Sequence, residues 1–215
     1  MRECGSNNTD GSGSLAVLLA GGRGRRFGGE KALARVGGVP IAVRTRDALG
    51  AAGLEVAVSG SETLAEALRL PFLPDLSPGL GPLAGLDAAL GWAISRGSTG
   101  VLCVACDMPF LSTSLIRHTI ALADGATTDV VIPESAGPRG VEPLCAWYSV
   151  RCAPIVSNRL GQGDFAMAHI LSELSVTTIS ISQIRRYGDP DTLFLNVNTP
   201  ADLDRAAELE RAGSL

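Results

Sequence analysis

Aromatic side chains are scarce in this 215-residue chain, at 4% of residues, so its interior has to be built from Ala, Val, Leu and Ile, which with the other apolar types bring hydrophobic content to 46%. There are two histidines, His118 and His169, and both fall in predicted helices, so a His-based catalytic dyad finds little support. No apolar run approaches the length of a membrane span, and no signal peptide is recognisable, which leads to the expectation of a cytoplasmic protein without a membrane partner. Positive charge is in deficit, with 18 Lys and Arg against 22 Asp and Glu, which excludes the broad basic surface that general nucleic-acid binding requires. Cysteine is sparse and odd in number (Cys4, Cys103, Cys106, Cys145 and Cys152), as in a reduced compartment. The Cys103-x-x-Cys106 pair lies in the apolar run VLCVAC. Residues three apart on a strand face opposite sides, so both thiols are expected in the core and not on one metal.

Glycine and charge are concentrated in residues 18–31, LLAGGRGRRFGGEK. An apolar run stops at paired glycines, and Arg23, Arg25, Arg26 and Lys31 then place four cations in nine residues. Glycine lets a backbone approach a ligand closely, and the cations suit a polyanion such as a nucleotide. Two common phosphate motifs fail. Lys31 follows Glu30 and has no hydroxyl residue after it, unlike the P-loop, and Phe27 stands where the dinucleotide fingerprint needs its third glycine.

Residues 1–14 are small and polar without periodicity and read as a disordered leader; residues 15–215 read as a single domain. Strands are predicted at 15–20, 54–59, 72–73, 100–106, 129–133, 142–149, 176–181 and 193–197. Helices are predicted at 40–52, 62–70, 113–123, 151–160 and 166–174, and one more carries the stripe Leu83, Leu86, Leu90 and Ala93 or Ile94. Gly37 to Pro40 reads as a turn and 75–85 as a loop. Thr199, Pro200 and Asp202 mark the start of a final helix that runs to about residue 210. The alternation of strands and helices predicts an α/β fold with a mostly parallel central sheet and helices on both faces. Ligands of such sheets bind beyond the carboxyl ends of the strands, where the glycine-arginine loop, Asp75, Asp107 and the asparagines near 196–198 would converge.

The first block resembles the L-A-G-G-x-x-x-R-M/F-G…D/E-K signature of nucleotidyltransferases. Residues 79–86 (GLGPLAGL), 106–111 (CDMPFL), 142–144 (EPL) and 194–203 (FLNVNTPADL) follow in order and resemble segments of molybdenum cofactor guanylyltransferases. The resemblance implies a three-layer, Rossmann-like nucleotidyltransferase fold. It also implies transfer of GMP from GTP to the phosphate of molybdopterin, with release of pyrophosphate, Mg²⁺ as cofactor and transient contact with molybdenum-cofactor proteins. Carried over by position, it puts Leu19, Ala20, Gly21 and Gly22 at the nucleotide through their backbone, Arg26 and Lys31 on its phosphates, and Asp75 among the nucleotide contacts. Asp107 would hold Mg²⁺, with Arg26, Lys31 and Asp107 as the catalytic set, and Asn196 and Asn198 would lie on the pterin side. Where the family carries a nucleotide-contacting asparagine, this chain reads Val58-Ser59-Gly60, so Ser59 takes that place, and Glu30 replaces the usual Asp before the lysine.

Plain structural roles stand beside these. Asp107 suits an N-cap, Asp75 a turn, Asn196 and Asn198 the polar end of a strand, and Glu142 a surface pair with Arg139. A cytidylyltransferase of the same fold, or a nucleotide-binding regulatory domain without turnover, remains an alternative reading.

Overall fold

The computed structural model describes residues 14–20, 31–75, 80–124 and 127–213. Residues 1–13 of the expected leader, Gly21, Gly22 and the arginines through Arg26 lie outside the described residues; Ser14, the leader's last residue, accepts from the Glu55 N–H at 3.1 Å.

Strand β1 (Leu15–Leu19) opens the chain, and β2 (Arg35–Val36) and β3 (Val39–Pro40) form a short antiparallel hairpin. Gly37 and Gly38, both at positive φ, make its turn, so the predicted turn is right but belongs to a second small sheet. Helix α1 (Ile41–Ala51), β4 (Glu55–Ser59), α2 (Glu62–Leu68) and β5 (Phe72–Leu73) follow, then α3 (Pro82–Ser95), β6 (Gly100–Ala105) and α4 (Thr113–Asp124). Next come β7 (Val130–Pro133), β8 (Cys145–Ser149), α5 (Ala153–Gly161), α6 (Met167–Leu171), β9 (Val176–Ile179), α7 (Ile181–Ile184), α8 (Pro190–Leu193) and α9 (Pro200–Arg211). Thr199 and Asp202 form a reciprocal capping box at the start of α9, the arrangement their spacing predicts.

Among the described residues seven strands build the main sheet, in the order β5-β4-β1-β6-β8-β7-β9. All pairings are parallel except those of β8, which runs against both β6 and β7. The alternation of side chains along each strand supplies two cores. On one face Ala16, Leu18, Val58, Leu102 and Trp147 pack with α1, α2 and α4; on the other Leu15, Val17, Leu19, Cys103 and Tyr148 pack with α3, α5 and α6. The sheet therefore lies between two helical layers. Cys103 and Cys106 fall in opposite cores, but β6 ends at Ala105, so Cys106 lies one residue past the strand and shares its core with Ala105. A third, smaller core outside the sheet joins Val36, Ile41, Phe110, Leu195, Val197 and Ala206.

Several predicted bounds move. The stretch predicted as a last strand, 193–197, forms no strand: Leu193 ends α8, and the next residues run beside the loop after β6 without joining the sheet. Leu193, Phe194, Leu195 and Val197 are buried, so their apolar character has a reason other than pairing in the sheet. The Leu195 N–H donates to the Thr192 carbonyl and the Val197 N–H to the Asp107 carbonyl, at 3.2 and 3.0 Å. The strand predicted from Glu142 begins at Cys145. The predicted 176–181 strand stops at Ile179, because Ser180 and Gln183 form a capping box that turns the chain into α7. The 166–174 helix contracts to α6, and α3 begins inside the predicted 75–85 loop, at Pro82, in the first helical turn where proline costs no hydrogen bond. Along α3 the buried stripe runs through Ala93, while Ile94 is exposed.

Candidate active site

The parallel strands deliver their carboxyl ends to one edge. Leu19 at the end of β1 is paired with Ser59 of β4 on one side and Ala105 of β6 on the other. The Ala20 N–H donates to the Ser59 carbonyl at 2.8 Å, and the Cys106 N–H donates to the Leu19 carbonyl at 3.3 Å. These bonds fix the three strand exits against one another. Ser59 is buried, and its hydroxyl donates to Asp75 Oδ1 at 2.7 Å, so the two expected nucleotide contacts form one unit. Gly85 of α3 lies directly under this unit. A Cβ there would stand 2.9 Å from the Leu19 side chain, 3.5 Å from Ser59 Oγ and 3.9 Å from Asp75 Oδ1. A glycine near the start of this helix thus lets α3 close on the edge of the sheet.

Asp107 is the second residue beyond β6 and is 7% exposed. Its carboxylate meets the Lys31 ammonium, Nζ to Oδ2, at 2.5 Å. The same Nζ donates to Asn198 Oδ1 at 2.6 Å. Residues 31, 107 and 198, far apart in sequence, thus meet on one ammonium. The N-cap alternative for Asp107 finds no support: the cap hydroxyl of α4 is Ser112, which accepts from the Leu115 N–H at 3.4 Å. Among the described residues Asp107 Oδ1 is buried without a hydrogen-bond partner. A buried carboxylate oxygen left so is costly and marks a place for a further cation or donor.

Asn196 behaves differently from Asn198. Its amide donates to the Phe194 carbonyl at 3.1 Å, within its own segment. It borders a cavity of about 250 Å³ whose walls also include Ser135, Arg139, Glu142 and Asp191. The structure therefore groups Lys31, Asp107 and Asn198, groups Ser59 with Asp75, and leaves Asn196 at a neighbouring cavity. Gly21, Gly22 and Arg26 lie outside the described residues.

Glu142 is the residue that sequence reasoning undervalued. It is 8% exposed, so it is buried and not at the surface, though the charge of Arg139 reaches it. Burial pushes its carboxyl above the ordinary carboxylate range, and the negative charge of Asp107 adds to this; Arg139 and the Leu144 N–H oppose it. The reversal of β8 brings the start of that strand to the edge where β6 ends, so Glu142 and Asp107 feel each other. One signal was available in the sequence: Glu142 is the one charged residue in the run from Val141 to Val150, which enters a wholly buried strand. His169 pairs with Asp164 at 2.9 Å in the α5–α6 region, and His118 stacks on Tyr187 with ring centroids 5.3 Å apart. Neither belongs to the group around Asp107.

The family model of the MobA-like NTP transferase domain matches residues 16–177. This chain belongs to that family. A relative named probable molybdenum cofactor guanylyltransferase, from Pelotomaculum thermopropionicum, is 37% identical over 93% of this chain and 96% of its own length. Another, named molybdenum cofactor guanylyltransferase, from Desulfosudis oleivorans, is 33% identical over 93% and 96%. The crystal structure of molybdopterin-guanine dinucleotide biosynthesis protein A from Archaeoglobus fulgidus superposes with a TM-score of 0.78 at 28% identity, covering 92% of this chain and 99% of that one. The family's chemistry is nucleotidyl transfer. Among the described residues no helix is long and apolar enough to cross a membrane.

Proposed function

We propose that this protein transfers the GMP portion of GTP to the terminal phosphate of molybdopterin and releases pyrophosphate. The observation that carries the reading is the meeting of Lys31, Asp107 and Asn198 on one ammonium at the carboxyl edge of β6. Its setting is a chain whose relatives named as guanylyltransferases span more than nine-tenths of it.

The reaction sets one phosphate anion against another, so its barrier is dominated by charge repulsion and by the charge on the departing pyrophosphate. Lys31 supplies a fixed positive charge, and Arg26 would supply a second. The attacking phosphate is already ionised, so no strong general base is needed, which agrees with two histidines engaged elsewhere. Backbone at Leu19, Ala20, Gly21 and Gly22 would line the nucleotide, and the Ser59–Asp75 unit would receive its sugar-base portion. Asp107 suits Mg²⁺: Oδ2 already carries a cation, and the buried Oδ1 has no partner among the described residues. Such an ion needs only one or two carboxylates, with phosphate oxygens and water filling its other positions. Bound there, it would supply charge neutralisation at the α- and β-phosphates. The cavity beside Asn196 would accept the pterin.

The test is transfer of label from α-³²P-GTP, CTP and ATP to molybdopterin in the presence of Mg²⁺. GTP is expected to exceed CTP by about 10²-fold or more in kcat/KM, because an unmatched base leaves buried polar groups unpaired. Incorporation from CTP alone overturns the guanylyl assignment, and nucleotide binding without any labelled product overturns the transferase reading.

A further inference from the structure

Asn196 and Asn198 are two residues apart and share a sequence block, yet they face different neighbours. Asn196 turns its amide onto the Phe194 carbonyl and borders the cavity. Asn198 presents Oδ1 to Lys31 Nζ at 2.6 Å, and its own N–H donates to Asp202 Oδ2 at 2.9 Å. Asp202 also accepts from the Thr199 N–H and hydroxyl, at 2.8 and 2.9 Å. The backbone of Asn198 is therefore anchored to the capped start of α9, and its side chain is aimed back at the phosphate lysine.

The geometry points to Asn198 as a positioning residue of the donor half, acting on the nucleotide phosphates through Lys31, while Asn196 alone of the pair faces the acceptor. This rests on reading Lys31 as the phosphate-binding cation. A lysine side chain has four rotatable bonds and a mobile ammonium with three N–H donors. Among the described residues Asp107 and Asn198 take two of the three, which gives the third a defined direction. The partners differ in kind. Asp107 attracts the ammonium and offsets its charge; the neutral amide of Asn198 fixes the ammonium while leaving that charge available to a phosphate. Asn198 also sits in the block next to the acceptor-facing Asn196, so the lysine that grips the donor is held from the acceptor's side of the site.

The test uses the full chain and a non-hydrolysable GTP analogue with Mg²⁺, with binding measured by calorimetry for the parent, Asn198→Ala, Lys31→Met and the double variant. Asn198 is exposed, and its backbone N–H survives the substitution, so Asn198→Ala is expected to unfold at the parent temperature. Its affinity for the analogue is expected to fall about tenfold, the scale of a lost charge-assisted hydrogen bond. Molybdopterin affinity should stay within about twofold. In the Lys31→Met background the same substitution should cost almost nothing, because a positioning residue has no effect once its target is gone. Asn196→Ala should show the opposite pattern, with weaker molybdopterin and unchanged analogue. A loss of molybdopterin affinity in Asn198→Ala with unchanged analogue binding overturns the proposal, as does a full additive loss in the double variant. If the parent prefers a cytidine nucleotide, the guanylyl reading fails, and the same cycle run with that nucleotide still decides the role of Asn198.

Discussion

The four strands from β5 to β6 all point the same way, whereas the neighbouring group, β8, β7 and β9, contains one reversed strand. In the first group polar residues appear as the chain leaves three of the four strands: Ser59 after β4's apolar run, Asp75 after β5, Asp107 after β6. In the second, the informative polar residue, Glu142, appears before the chain enters β8. Both arrangements reach the same edge. The carboxylates that result are held differently. Asp107 has an ammonium at 2.5 Å, whereas Glu142 is governed by burial, which the charge of Arg139 only partly offsets. An acid at a parallel strand's exit can meet cations from several loops, and one at the entrance of a reversed strand sits under its neighbours.

The largest blow to this contrast is expected from Asp107→Asn, which keeps the shape and removes the charge. It should lower kcat/KM for transfer by about 10³-fold, near 4 kcal/mol of barrier, with an unchanged unfolding temperature. Single-turnover transfer and thermal unfolding would check both parts; activity within tenfold of the parent would refute the role given to Asp107.

Gly100→Ala strikes the seam between the two groups. A Cβ at Gly100 would stand 2.2 Å from the Trp147 ring and 2.5 Å from the Tyr148 carbonyl oxygen, across the β6–β8 pairing. Overpacking on this scale costs about 2 kcal/mol and should lower Tm by several degrees while kcat at low temperature is largely kept.

Glu142→Gln should have the smallest effect, visible as a pH dependence. The folded carboxyl holds its proton to a higher pH than the ordinary 4.5, so the folded state binds more protons than the unfolded state above that value. The parent therefore loses stability as pH rises from about 4.5 through the folded value. Gln does not titrate, so the variant should gain Tm relative to the parent at neutral pH, and the gap should close as pH falls toward 4.5. A gap independent of pH would mean that the charge of Glu142 is not what its burial costs.

Strands of the parallel group were legible because their signals are local: a continuous apolar run, then glycine or acid, as at β1 and β6. The Thr199–Asp202 box was legible for the same reason. The 193–197 stretch was misread because burial in a loop and burial in a strand leave the same apolar imprint; only the partner of the Val197 N–H, the Asp107 carbonyl, tells them apart. Glu142 was hidden by the reversal of β8, since the prediction of mostly parallel crossovers says nothing about which strand turns back. The partner of Asn198 lies 167 residues away, beyond any spacing rule.

The third core gives the site a dependence that its polar residues do not reveal. Lys31 lies five residues before Val36, Asp107 three before Phe110 and Asn198 one after Val197, and these three apolar residues pack together with Ile41, Leu195 and Ala206. The approach of Lys31, Asp107 and Asn198 is thus framed by a knot of aliphatic and aromatic carbon standing apart from the main sheet. Ala206, on the last helix, belongs to that knot. Residues 200–211 carry no group assigned to either substrate, yet they help determine how closely a cation, a carboxylate and an amide can be brought together, and a drift in their packing would be felt first as lost alignment and only later as lost stability.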